Sequence, residues 1–249
     1  MHGFTGYKGA ILTDSGGFQL YSLIRENAEY GEIRDKEIIF RPDRGKEKIT
    51  FTPEKCIQVQ FQYGSDIMMA LDMCTHPGDP IDVQRRSVEL TVRWGARCRA
   101  EYDKLVRGRK GPRPLLFGIV QGGRDRDLRL ECGRRLEEIG FDGYGFGGWP
   151  LDGQGALRED ILQMAADAMP DHKIKYAMGL GKPEEIVECV KMGYSLIRLR
   201  NSHARGTASA AVCVCGRHGN AGGRAFGCEI LSLPLRDGRK ECPRPASGG

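Results

Sequence analysis

Between Ala10 and Leu196, short apolar runs alternate with longer amphipathic stretches, and this alternation restricts the chain to a parallel sheet crossed by helices. Strands are predicted at Ala10–Thr13, Ile67–Leu71, Leu115–Val120, Tyr144–Phe146 and Ile174–Ala177. Helices are predicted at Pro53–Tyr63, Ile81–Val106, Asp125–Ile139, Leu157–Met169 and Pro183–Met192. Pro53 and Pro183, preceded by Thr52 and Lys182, sit where a first-turn proline is tolerated. The charged, alternating stretch Arg25–Phe51 predicts an inserted hairpin. Asp14, Asp72, Gln121, Gly147–Gly148 and Met178–Gly179 each stand just past a strand's C-terminal end, the rim on which (β/α)8 barrels build their sites. An open doubly wound sheet would carry a Gly-x-Gly-x-x-Gly turn opening a helix, and no strand here is followed by one. Only five strand–helix units are countable. The predicted fold class is therefore α/β: an incomplete (β/α)8 TIM barrel over residues 1–196 with an irregular C-terminal tail.

Composition changes abruptly after Leu196. Residues 197–249 are rich in Arg, Gly and Cys, without strand or helix periodicity, and read as a disordered or non-native tail. A chain of 249 residues with 40% hydrophobic content can bury one sizeable core. A mean hydropathy of −0.43 and the absence of an 18-residue apolar run argue against a membrane-spanning helix. Met1–Ala10 lacks the regions of a signal peptide, so a cytoplasmic location is expected. Nine cysteines, most of them scattered, read as reduced thiols rather than a disulfide framework. The net charge of +5, with Arg and Lys concentrated in Arg85–Arg113 and Arg124–Arg135, suits a polyanionic partner. Solvated helix faces are the better explanation of that charge when nothing else is known.

The segment Thr13-Asp14-Ser15-Gly16-Gly17-Phe18-Gln19 carries the most specific local signal. A carboxylate at a strand end, followed by small residues, lets a planar ligand approach the backbone. Taken alone, the same Asp-Ser pair reads as a helix N-cap. Asp72 alone reads as a surface strand-end carboxylate, and Met178 as core packing.

These segments do not stand alone. ILTDSGGFQ, TPEKCIQVQ, GSDIMMALDMC, LFGIVQGG, FDGYGFGG and KYAMGLGKPEE occur in the order and spacing of tRNA-guanine transglycosylases. The chain resembles that family from Met1 to about Leu196, and HGFTGYKG at its start is similar to internal family sequence, which implies that the first barrel strands precede Met1. The resemblance implies exchange of guanine at the tRNA anticodon wobble position for a 7-deazaguanine, preQ1 or queuine, in queuosine biosynthesis. It implies tRNA and the free base as partners, and a homodimer in the intact family member. Asp14 becomes the general acid/base, because exchange at a glycosidic carbon suits a pair of carboxylates. Asp72, Gln121 and Gly148 become the groups that read the base edge, with Met178 packing on the ring and Ser15 in the same motif. Cys74 is expected to line that pocket without acting as a nucleophile, no His partner being evident. Trp149 stands where a smaller residue is expected, and His76 reads as a loop residue.

The resemblance also implies a covalent nucleophile, an aspartate in a segment similar to FDCVxPTRxARxG directly after KMGYSL. Here Leu196 is followed by Ile197-Arg198-Leu199-Arg200-Asn201-Ser202-His203-Ala204-Arg205-Gly206-Thr207, with no aspartate. Permissible codons for these residues, read after removal of the first nucleotide, spell FDCVIPTREAR. A single inserted nucleotide near codon 197 is therefore expected, leaving the chain without its nucleophile and inactive. The family zinc site, a Cys-x-Cys-x-x-Cys with a later His, is imitated by Cys213-Val214-Cys215 and His218, but the third Cys is absent. No metal is expected in this chain. Two other readings remain open from the residues: a non-catalytic subunit that binds tRNA or a partner chain, and an unrelated barrel hydrolase using Asp14 and Asp72.

Overall fold

The computed structural model describes residues 2–43, 47–180, 182–200 and 209–213. In chain order the elements are α1 (His2–Thr5), β1 (Leu12–Thr13), α2 (Gly17–Glu26), a 3-10 turn (Ala28–Tyr30), β2 (Gly31–Ile33), β3 (Ile38–Phe40), β4 (Ile49–Phe51), α3 (Pro53–Tyr63) and β5 (Ile67–Met69). They continue with α4 (Ile81–Val106), β6 (Leu115–Val120), α5 (Arg126–Ile139), β7 (Gly143–Phe146), α6 (Glu159–Asp167), β8 (Ile174–Leu180), α7 (Pro183–Lys191), β9 (Leu196–Arg200) and β10 (Ser209–Cys213). The main sheet runs β1-β5-β6-β7-β8-β9-β10. Its first six strands are parallel, and only β10 runs antiparallel, against β9. The sheet curls into a half-barrel, the incomplete (β/α) barrel that the alternation predicts.

Local chemistry sets the element ends. Thr52 Oγ1 accepts the Lys55 N–H, Pro53 opens α3, and Gly64 closes it at φ 70°. Asp125 Oδ1 accepts the Leu128 N–H at the start of α5, one residue beyond the predicted first residue of that helix. Two elements differ from expectation. Where a hairpin is predicted, β2, β3 and β4 form a three-stranded antiparallel sheet instead. It is held against α4 by the Trp94 indole donating to Asp35 O and by Arg97 donating to Lys36 O, while Arg97 also binds Glu54 of α3 bidentately. Helix α2 has no counterpart among the predicted helices, because its start is two glycines. Gly16 supplies its left-handed N-cap at φ 81°, with no side chain capping it.

Strand alternation divides the core into two layers. Ile67, Met69, Leu115, Phe117, Ile119, Ile174, Tyr176, Met178, Leu12 and Leu196 pack together on the inner face. Met68, Leu116, Val120, Tyr144, Phe146, Ala177 and Ile197 face the surrounding helices. This phase matters at the rim. Asp14 follows Leu12 and Arg198 follows Leu196 by two residues, so both inherit the inward direction.

The expected boundary at Leu196 falls inside β9, whose residues 196–200 pair with β8 and β10. Of the tail, residues 201–208 and 214–249 lie outside the described residues, so Cys215 and His218 do too.

Candidate active site

Asp14, at the end of β1, is directed inward because nothing in helix α2 claims it. Gly16 takes the capping position, and it is Ser15 Oγ, buried, that accepts the Gly17 N–H at 3.2 Å. The N-cap explanation of Asp14 therefore fails. Its Oδ2 accepts from the Arg198 guanidinium on β9, across 184 residues of sequence, while Oδ1 is buried without a hydrogen-bond partner.

Asp72, just past β5, is buried rather than on the surface, at 8% exposure. Gln121 Nε2, just past β6, donates to its Oδ2 at 2.6 Å. Burial pushes the Asp72 carboxyl up to about 6, the Gln121 hydrogen bond opposes this, and the charge of Asp14 adds to the rise. Gln121 lies flat on the β7 rim, where a Cβ at Gly147 would stand 2.6 Å from its Cδ. That position must be glycine. Gly148 follows at φ 118°, a backbone state that favours glycine. Met178 is partly buried, packed on the inner layer, and its Cε and that of Met69 both face Gly145. A register shift between Met178 and Leu180, with Gly179 at φ 85°, interrupts the β8 ladder just past it, before Leu180 pairs with Leu199.

The sequence-predicted residues thus gather on one rim. Among the described residues there, Asp14 Oδ1 and Gln121 Oε1 are buried without a hydrogen-bond partner, and the Tyr176 hydroxyl lies beside Arg198.

The model of the family described as queuine tRNA-ribosyltransferase matches residues 1–198. Relatives bearing that name are similar over the same stretch. The one from Actinobacillus pleuropneumoniae serotype 3 is 39% identical over 196 residues, covering 79% of this chain and 49% of the relative. That from Pseudoalteromonas atlantica is 43% identical over 201 residues, covering 79% and 50%. That from Shewanella sp. (strain W3-18-1) is 41% identical over 196, again covering 79% and 50%. The chain belongs to the queuine tRNA-ribosyltransferase family. It spans about half the length of the curated relatives it matches.

Three residues of this queuine tRNA-ribosyltransferase family member escape a motif-based reading. Arg198 and Tyr176 become visible only when strand phase is known, since both point inward at Asp14's end of the barrel. Arg129 lies one helix away from the rim in sequence yet hydrogen-bonds its backbone. Trp149, the large residue after Gly147–Gly148, donates its indole N–H to Thr75 O at 3.1 Å. It meets Phe18 and His76 edge-on, at 5.6 and 5.5 Å between ring centroids. His76 is therefore a wall of the loop cluster. Cys74 is buried beside Asp72, and burial raises its thiol far above the usual range, which makes it inert as a nucleophile.

Among the described residues no three His, Cys, Asp or Glu side chains converge as metal ligands. Cys56, Cys74, Cys98, Cys132 and Cys189 are free and buried. These residues do not fit a zinc site, and no step below runs through a metal. Nor is any helix among them long and apolar enough to cross a membrane.

Proposed function

We propose that this rim is the base site of a tRNA-guanine transglycosylase, which exchanges the wobble guanine of tRNA for a 7-deazaguanine, preQ1 or queuine, in queuosine biosynthesis. In this reading Asp72 and Gln121 hydrogen-bond the amide-like edge of the base, Gly148 offers backbone groups, and Met178 lies on the ring. Ser15 fixes the turn that follows Asp14. In the exchange, a carboxylate attacks C1′ of the ribose, and the bond from C1′ to the base breaks with its electrons leaving on guanine. Asp14 gives the departing base its proton. It then takes the proton of the incoming base, whose nitrogen displaces the carboxylate from C1′.

The observation that carries the reading is the contact between Asp14 and position 198. Permissible codons from Ile197 onward spell FDCVIPTREAR once one nucleotide is removed, and a gene with those codons would put an aspartate at position 198. Position 197 stays apolar as phenylalanine, as the outward layer requires of Ile197. Position 198 is the one that faces Asp14 across the barrel. As encoded, Arg198 puts a cation where the attacking carboxylate belongs. The chain is then expected to hold the base without exchanging it.

Reading the DNA across codons 195–208 tests the frame: a frame there that encodes FDCV supports it, and its absence from all frames contradicts it. Titration with guanine tests the site. Binding that Asp72→Ala abolishes is expected, and a folded chain that ignores guanine contradicts the base-site reading.

A further inference from the structure

Arg129, on α5, is among the largest fully buried side chains, at 1% exposure. A buried cation normally meets a carboxylate, because desolvating an unpaired charge is costly. Each of this guanidinium's three hydrogen bonds runs instead to a backbone carbonyl. Nε donates to Gly123 O at 2.8 Å, Nη1 to Val120 O at 3.2 Å and Nη2 to Gly147 O at 3.2 Å. Its plane rests on the Phe146 ring, 5.1 Å from the centroid.

The three carbonyls are not scattered. Val120 immediately precedes Gln121, Gly123 follows it by two residues, and Gly147 immediately precedes Gly148. We propose that Arg129 is a positioning residue, a clamp that sets the two neighbouring rim loops so that Gln121 and Gly148 meet the base together. The glycines around it fit this role. A Cβ at Gly122 would stand 2.7 Å from the Arg129 backbone nitrogen, and one at Gly148 would stand 3.7 Å from Nη2. The planar fork matters as much as the charge. A lysine ammonium at the same place is a single point that cannot span carbonyls on two strands. Burial draws the guanidinium's pKa down to about 10, which still leaves it charged at neutral pH.

The clamp rests on the base-site reading for its purpose, but its geometry can be tested separately. Guanine affinity is measured for wild type, Arg129→Lys and Arg129→Met, each at a temperature where circular dichroism reports a folded chain. Arg129→Lys is expected to weaken binding about tenfold. In a Gln121→Ala background the same change is expected to cost clearly less than it does in wild type, because the Gln121 share of its effect is already lost and only the Gly148 share remains. Lys175→Met, which removes a buried cation bonded to Ala166 O and Asp171, serves as a stability control. It is expected to lower the melting temperature without changing affinity. Hydrogen exchange supplies a readout that needs no base. Arg129→Lys should speed exchange in residues 120–124 and 146–149 and leave the other strands as they are. Unchanged affinity and unchanged local exchange, with only the melting temperature lowered, would overturn the clamp. If wild type binds no guanine, the base-site reading falls, and exchange alone then decides: localised loosening upholds the clamp and uniform loosening overturns it.

Discussion

Asp72 holds its proton more tightly in the folded chain than in the unfolded one, since burial moves its pKa from 3.8 to about 6. The stability that follows is fully present below about pH 4 and is lost as the pH rises through about 6. A shift of this size is worth about 3 kcal/mol, which the fold forgoes at neutral pH to keep a carboxylate at the rim. Asp72→Asn is therefore expected to raise the urea midpoint at pH 7, to flatten its decline between pH 4 and 6, and to weaken guanine binding. A variant less stable than wild type at pH 7 would contradict this account of Asp72. Asp14, Asp72, Gln121 and Gly148 could be named from the sequence because each closes a strand in a short, distinctive motif. Arg198, Tyr176 and Arg129 could not, because their roles depend on which way a side chain faces in a closed layer. One residue of register reverses that direction.

At the scale of elements, α3 and α4 match their predicted bounds because apolar periodicity and end signals agree there. Thr52, Pro53 and Gly64 bracket the first, and helical periodicity sustained over 26 residues in the second leaves little freedom. Strand β1 is only two residues long, so its apolar run overstated it. Strand β9 escaped prediction because an abrupt change of composition hides a five-residue strand. Helix packing offers a test in which propensity and sterics oppose each other. Gly133 lies inside α5, where alanine is ordinarily better by about 1 kcal/mol. A Cβ there, however, would fall 2.0 Å from the Ala168 carbonyl oxygen at the end of α6. Backbone cannot yield as a side chain can, so Gly133→Ala is expected to destabilise by roughly 1–3 kcal/mol. Chemical denaturation checks the sign, and a stabilised variant would mean that α5 and α6 do not cross at Gly133.

The whole molecule is a half-barrel that carries Asp14, Asp72 and Gln121 on one rim, with Arg198 opposite Asp14. The alternation of strands and helices was sufficient to place the sheet, its outer helices and the face on which the site lies. It was not sufficient to say that position 198 would lie opposite Asp14, which required the inner layer to be assembled. The contact also makes a demand of the whole protein, since a cation and an attacking carboxylate cannot both occupy that position. Incorporation of labelled guanine into tRNA, compared between the encoded chain and the product of the gene with one nucleotide removed at codon 197, tests this directly. The account predicts no incorporation above background by the encoded chain and clear incorporation by the frame-restored product; incorporation by the encoded chain at the restored rate would contradict it.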